Sequence, residues 1–407
     1  MNSFFYKVGV ILLVNQRPSQ SKRPFHLDKV LIGLLLLMAV LSLVAIYGAI
    51  PLTASNINGQ ELFIKQILFY LSGFALLSGL LIFGIDRLFT GIRVFYWILM
   101  ILLVLLLVDK VINLPLIWPV NGTRAWIFLP GISLQPSEFM KIVLIIMTAN
   151  IVDEHNRSLT QVTYGSDIRL FLKVLKIALP PLFLIFLQPD TGIPVIIVIS
   201  IIAILAVSGI KKQWIWLGVL ALFLGFGGVI FLFETNPDLL ASILGAPYKL
   251  NRFYGWLETE KYILTWGNQL YTALLAVGSS GWTGHGLQSS LIRFAEPQND
   301  FIFAVVAKNH GFFGTASVLL ASLILDLKLL HIAYKYDQPR ERYLVAGLLG
   351  ILLYQQFQNM GMIVGILPIT GVTLPFISYG GSSLWSFMIP LAIILHMSSE
   401  NHSRTLH

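Results

Sequence analysis

Ionisable residues set inside long apolar runs are the first candidates for chemistry, because each costs about 2.5–3.5 kcal/mol at the centre of a membrane helix. Glu138 and Lys141 stand three apart at the start of one such run and share a helix face. The spacing fits an internal ion pair; with Arg124 from the preceding segment it also fits a cradle for an anionic group. Gln188, Pro189 and Asp190 fill a short connection, where Asp190 reads either as a helix N-cap or as a polar wall of a cavity. Lys308, Asn309 and His310 lie about 12–15 Å into another apolar run, a depth that demands a partner or water. Glu258 and Glu260 sit two apart in a long polar interval, with Arg252, Lys261, His285, Glu296 and Asp300 around them. Such a pair can supply a general base, although acids in loops are more often simply solvated. No metal-ligand spacing, P-loop or dinucleotide fingerprint is present. No cofactor is indicated, and a divalent cation stays open.

These residues need a scaffold, and composition says which kind. Of 407 residues, 56% are hydrophobic and 11% charged, against about 25% charged in an ordinary soluble domain. Mean hydropathy is +0.80. Such a chain cannot cover itself with polar surface, so lipid must be its solvent. The net charge of +8 is therefore no sign of nucleic acid; it reports basic residues gathered on one side of a bilayer. Cysteine is absent, which excludes disulfides and thiol chemistry.

Ten apolar runs are long enough, or nearly so, to span: 30–50, 62–84, 92–108, 137–152, 171–187, 191–209, 213–233, 300–325, 343–367 and 384–397. Each is expected to be helical, because lipid offers no partner to free backbone groups. With the N-terminus inside, the outer segments carry only Lys110, Arg124, Lys249, Arg252, Lys261 and Arg293; Lys65, Lys141 and Lys308 lie within apolar runs, and the other Lys and Arg residues fall inside. Both termini are then cytoplasmic, and Glu234–Asp300 is a large outer loop between the seventh and eighth spans. The organisation expected is a cytoplasmic segment 1–29, a single polytopic domain 30–397 and a cytoplasmic tail 398–407. Two further outer segments, 109–136 and 367–383, are rich in Pro and Gly, and interruptions of helix are expected there.

Five segments carry a resemblance. They are NGTRAWIFLPGISLQPSEFMKI from residue 121, FLQPDTG, AVGSSGWTGHG, FAEPQNDFIFAVVAKNHGFFG and GILPITGVTLPFISYGGSS. Together, and in this order, they resemble the RodA/FtsW/SpoVE group, the SEDS proteins of bacterial shape, division and sporulation. The resemblance implies an all-α integral membrane bundle of about ten helices with a large extracytoplasmic loop. It also implies a glycosyltransferase that polymerises lipid II, the undecaprenyl-pyrophosphate disaccharide precursor, at the outer face of the bacterial plasma membrane, usually beside a class B penicillin-binding protein. An outward cavity with cationic walls would suit the pyrophosphate, with the polyprenyl tail left in membrane lipid.

On that pattern Arg124, Glu138, Lys141, Gln188, Asp190, Asp300, Ser378 and Ser382 are the expected substrate-binding residues. Aligned on Arg252 and Gly267 without a gap, the chain carries Tyr262 at the position expected for the loop aspartate of the family, with Glu260 two residues upstream and Glu258 beyond it. Glu260 and Glu258 are therefore the expected catalytic carboxylates. Gln298 and Asn299-Asp300 replace the usual residues before the eighth span, and Lys308-Asn309 stand where acids are typical. A divergent member follows. A non-catalytic relative that regulates a penicillin-binding protein, or a transporter of lipid-linked precursor, remains as an alternative.

Overall fold

The computed structural model describes residues 26–405 apart from 55–56, 121–122, 191 and 245–246. Most of the N-terminal segment, the first two residues of NGTRAWIF and the last two of the tail thus lie outside the described residues. The chain forms α1 (Lys29–Ala49), α2 (Gly59–Phe83), α3 (Ile85–Ile112), a hairpin β1 (Ile127–Leu129) and β2 (Ile132–Leu134), α4 (Pro136–Arg157), α5 (Tyr164–Phe186), α6 (Gly192–Val207) and α7 (Lys212–Thr235). There follow α8 (Pro237–Leu244), α9 (Pro247–Leu257), α10 (Asn268–Ser279), α11 (Ile302–Lys335), α12 (Pro339–Ile363) and α13 (Gly381–Thr405). Each of the ten apolar runs overlaps one long helix. The outer interval 234–300, expected as a loop, instead folds into the three short helices α8–α10. The strand pair within 109–136 was also not expected; Gly131, at φ 80°, makes its two-residue turn.

Among the described residues, six helices are long and apolar enough to cross a membrane: α1, α2, α3, α7, α11 and α13. The polar content of α4 and α12 has a physical reason. Met140, Ile142, Leu144, Ile145, Ile146 and Ala149 of α4, and Leu344, Val345, Leu348, Ile351 and Leu352 of α12, are fully buried. Their solvent is protein, so partnered polar groups are tolerated there. Glycines set the close contacts. A Cβ on Gly347 would stand 2.7 Å from Ile204, and one on Gly350 would stand 2.7 Å from Ala203, so α12 lies directly on α6. By contrast, α7 keeps a single buried residue, Phe233, and packs on α8.

The residues before α1 and the last turns of α13 meet at one end of the bundle. Asp28 caps α1 by accepting from Leu31 N (3.0 Å), and its other oxygen takes Lys328 Nζ (2.8 Å) and Ser398 Oγ (2.6 Å). The His26 and His402 rings stand 4.5 Å apart.

At the opposite side of the bundle α11 is broken at Gly311 (φ 61°, ψ −150°). The break exposes backbone groups at membrane depth, and the glycine-rich segment 281–286 satisfies them. His285 N donates to Lys308 O (2.8 Å) and Gly286 N to Asn309 O (3.1 Å), while Phe312 N donates to Gly281 O (2.9 Å) and Phe313 N to Trp282 O (3.2 Å). The approach is so close that a Cβ on Gly284 would lie 2.4 Å from the Asn309 carbonyl, and one on Gly311 would lie 2.5 Å from Gly284 N. Lys308 finds its partners beside this joint: its Nζ donates to Ser289 O and stands 6.0 Å above the Phe294 ring. The Gly284→Ala chain is expected to lose about 1–3 kcal/mol from the strained φ of +77° and the contact. Its thermal unfolding midpoint should fall measurably in detergent, whereas Gly278→Ala, whose Cβ meets nothing within 4 Å, should be neutral or stabilising.

Candidate active site

A cavity of about 570 Å³ opens at the end of the bundle away from the termini, within the range of about 300–1,000 Å³ usual for ligand sites. Its walls come from elements far apart in sequence. The β1–β2 hairpin and the start of α4 give Phe128, Ser133, Gln135 and Glu138; α9 and the segment after it give Arg252, Gly255 and Trp266; the turn before α11 gives Glu296, Gln298, Asn299 and Asp300; and the segments at 369–373 and 379–383 close the ring.

The turn Glu296–Asp300 is internally tied. Glu296 adopts φ 49°, and its carboxylate accepts from Asn299 Nδ2 (2.8 Å) and Gln298 Nε2 (3.1 Å). Polar side chains of the bundle then sew this turn to the 367–383 segment. Asn359 Nδ2 donates to both Asp300 O and Val372 O (2.8 Å each), Ser378 Oγ donates to Asn299 O (2.7 Å), and Tyr379 N donates to Gln298 O (2.9 Å). Ser382 Oγ joins the hairpin to α4 by donating to Ser133 O (2.9 Å) while accepting from Gln135 N (3.0 Å). Gly371 runs 3.8 Å from the Asp300 carboxylate, measured from where a Cβ would be.

Asp300 is the carboxylate left available. It is half-buried and lines the cavity, with Gly371 beside it. Burial, reinforced by the Glu296 charge, pushes its carboxyl up to about 7, while Arg252 acts in the opposite direction. Asp190 sits behind this wall. Its Oδ1 caps α6 through Gly192 N (3.1 Å) and Ile193 N (3.2 Å), and its Oδ2 accepts from Gln135 Nε2 (3.2 Å). Burial and then the neighbouring Glu138 charge hold Asp190 above the ordinary carboxylate range, against the hydrogen bonds it accepts.

The other expected site residues divide sharply. Glu138 reaches the cavity, and Lys141, fully buried, binds it from beneath while lying 4.2 Å over the Phe387 ring. Arg124 does not reach it: the guanidinium is spent on Asp109 Oδ2 (2.6 Å) and O (3.0 Å) and on Asn113 Oδ1 (3.2 Å), locking the hairpin segment to the end of α3. Gln188 is buried and donates to Leu103 O (3.1 Å), a helix-to-helix tie away from the cavity. Ser378 and Ser382 shape the wall through their backbone partners, and only Ser382 lines it. Glu258 and Glu260, expected as the catalytic pair, do not line the cavity. Glu258 pairs with Lys261 (2.8 Å), Glu260 is exposed, and Tyr262 packs on Tyr254 at 5.5 Å. A helical turn after α9 carries them to the solvent side.

The expectation of cationic walls also needs correction. The lining holds three carboxylates, from Glu138, Glu296 and Asp300, and one guanidinium, from Arg252. Arg252, Gln135, Glu296 and the ring of Trp126 were not among the expected site residues. Arg252 and Glu296 had shown only as charged groups around the Glu258 and Glu260 pair, and Gln135 and Trp126 only as members of a segment rich in Trp, Gly and Pro. Among the described residues no three His, Cys, Asp or Glu side chains are grouped as a metal set.

The family model described as "Cell cycle protein", covering FtsW, RodA and SpoVE, matches residues 28–403. Stage V sporulation protein E of Bacillus subtilis is 30% identical across 91% of this chain and 96% of its own length. A probable peptidoglycan glycosyltransferase FtsW of Legionella pneumophila is 30% identical across 97% of this chain and 96% of its own. Among solved structures, a chain of a peptidoglycan synthase complex superposes with a TM-score of 0.71, and the rod shape determining protein RodA of Thermus thermophilus with 0.63; each is 23% identical and covers 92% of this chain and 98% of its own. With this coverage, the all-α bundle is that of the FtsW, RodA and SpoVE family, and the chain belongs to it as a multi-pass membrane protein.

Proposed function

We propose that this chain is a peptidoglycan glycosyltransferase that polymerises lipid II on the outer face of a bacterial plasma membrane, with both termini cytoplasmic and a class B penicillin-binding protein as partner. The observation that carries the reading is Asp300: a carboxyl raised to about 7, half-buried in a cavity that also holds the Arg252 guanidinium. A base with a pKa near working pH combines adequate ionisation with adequate proton affinity. Relatives named peptidoglycan glycosyltransferase FtsW support the reaction class.

In this reading Asp300 takes the proton from the 4-hydroxyl of the acceptor sugar as its oxygen bonds to the anomeric carbon of the donor. The bond from that carbon to the phosphate oxygen breaks, and the polyprenyl pyrophosphate leaves carrying the bonding electrons. Arg252 offsets the charge on the departing group. Glu296, held by Gln298 and Asn299, keeps the Asp300 pKa high. Glu138 with Lys141 fixes the inner wall. The polyprenyl chain stays in membrane lipid.

The test is lipid II polymerisation by the purified full-length chain with its partner. Asp300→Asn should lower the rate about 10²–10⁴-fold, the usual contribution of a general base. Glu258→Gln and Glu260→Gln should leave it within a small factor. Full activity in the Asp300→Asn chain would sink the assignment. Arg252→Ala should lower kcat/KM by about 10²-fold without abolishing product.

The raised carboxyl also fixes a pH dependence. Rate should climb as pH rises through about 7, because only ionised Asp300 accepts the proton. Stability should run the other way. A folded-state pKa above the unfolded value means the folded chain holds more protons between about pH 4 and 7, so stability falls as pH rises across that window. Thermal midpoints of the wild type should drop over this range relative to those of Asp300→Asn.

Lys141→Met should cost about 3–5 kcal/mol, since it strands the Glu138 charge in the interior. Glu138→Gln combined with Lys141→Met should recover much of the midpoint, and activity should separate the structural from the substrate-facing part.

A further inference from the structure

We propose that the exposed surface where α3 meets α5, at the end of the bundle where Asp28 meets Ser398, binds the phosphate headgroup of an anionic phospholipid. The two helices run in the same direction and are tied by Tyr96 OH, which donates to Ile177 O (2.9 Å). One turn nearer the termini, about 5.4 Å along each axis, stand Arg93 on α3 and Lys173 on α5. Lys176 adjoins the tie, and Arg169 lies one turn beyond Lys173. At spacings of four and three residues, Arg169, Lys173 and Lys176 form one stripe on the face of α5 that Ile177 turns to α3.

All four cations are exposed, and among the described residues no carboxylate pairs with any of them. Arg169 has only a backbone partner, Gly165 O (3.3 Å). The acids on the adjoining elements are mostly committed elsewhere. Asp153 is buried against Arg157, Asp167 accepts from Lys211 N (3.1 Å), and Asp86, though exposed, faces Arg340 (3.9 Å); Glu154 is exposed as well. The fields of Lys173 and Arg169 both reach His155 at the end of α4, so these two charges bear on one small region.

The level of the cluster identifies the source of the phosphate. Just beyond it, toward the far end, Trp97 is 64% exposed and Leu179 61%. A tryptophan at the edge of an apolar belt marks the headgroup boundary. Four cations at that boundary, between two helices, match a lipid phosphate anchored by its own acyl chains along the apolar belt. The like charges repel one another in the bare protein, and the headgroup supplies the counter-charge that the chain withholds.

The test uses the full-length chain in phosphatidylcholine nanodiscs doped with phosphatidylglycerol or cardiolipin, released and weighed by native mass spectrometry. Anionic lipid should be retained in preference to phosphatidylcholine. Arg93→Gln with Lys173→Gln should weaken that retention about tenfold or more. Arg93→Lys with Lys173→Arg should preserve it, which separates lost charge from lost fold. Lys335→Gln with Arg342→Gln removes two exposed cations at the same end and should leave retention unchanged. Equal retention in the Arg93→Gln, Lys173→Gln chain, equal loss in the Lys335→Gln, Arg342→Gln chain, or no preference over phosphatidylcholine would overturn the proposal.

Discussion

A broken helix inside a membrane must find partners for its freed backbone groups, and that constraint governs the half of this protein that holds the cavity. The break at Gly311 is tolerated because segment 281–286 lies against it and completes four hydrogen bonds. Once that segment is docked, the chain from 287 to 300 has a fixed path. The short turn Glu296–Asp300 then falls where Asn359, Ser378 and Tyr379 N can hold it. The position of Asp300 therefore rests on a joint built from glycines that make no contribution to chemistry themselves.

The cavity owes its electrostatics to a similar economy. Carboxylates outnumber cations in its lining, and the buried Lys141 offsets one of them from below. Asp300 is left beside Glu296, in partial burial, with Arg252 as the opposing cation. Two carboxyls within mutual reach do not ionise equally. Glu296 accepts two side-chain hydrogen bonds, and burial first, then the nearby Glu296 charge, lets Asp300 keep its proton to higher pH. Charge separation of this sort follows from placing the acids in one short turn.

Hydropathy made the bundle legible, because lipid and buried helices impose long apolar runs that no loop imitates. Basic residues likewise marked one end, and the terminal contacts place both chain ends together there. Glu138 with Lys141 was legible as a pair at one face of a helix, and Asp190 as a cap. The interior of 234–300 was not, since α8–α10 are short and amphipathic, and their polar faces read as loop. Glu258 and Glu260 were misplaced for the same reason: acidity and nearness in sequence say nothing of which way a helical turn faces. Arg124 was misjudged because a cation beside Trp and Gly looks like a ligand arm until its partner, the buried Asp109, is seen. The hairpin at β1–β2 was hidden by its length of three residues per strand.

The clasp at the termini sets an order of events in biogenesis. Asp28 caps the first helix, yet one of its partners, Ser398, lies 370 residues later in the chain. Until the final helix has left the ribosome, the opening helix waits in lipid with half its anchor missing. The belt of helices closes only once α13 is in place, and a nascent chain halted before α13 is a bundle with an unfastened seam.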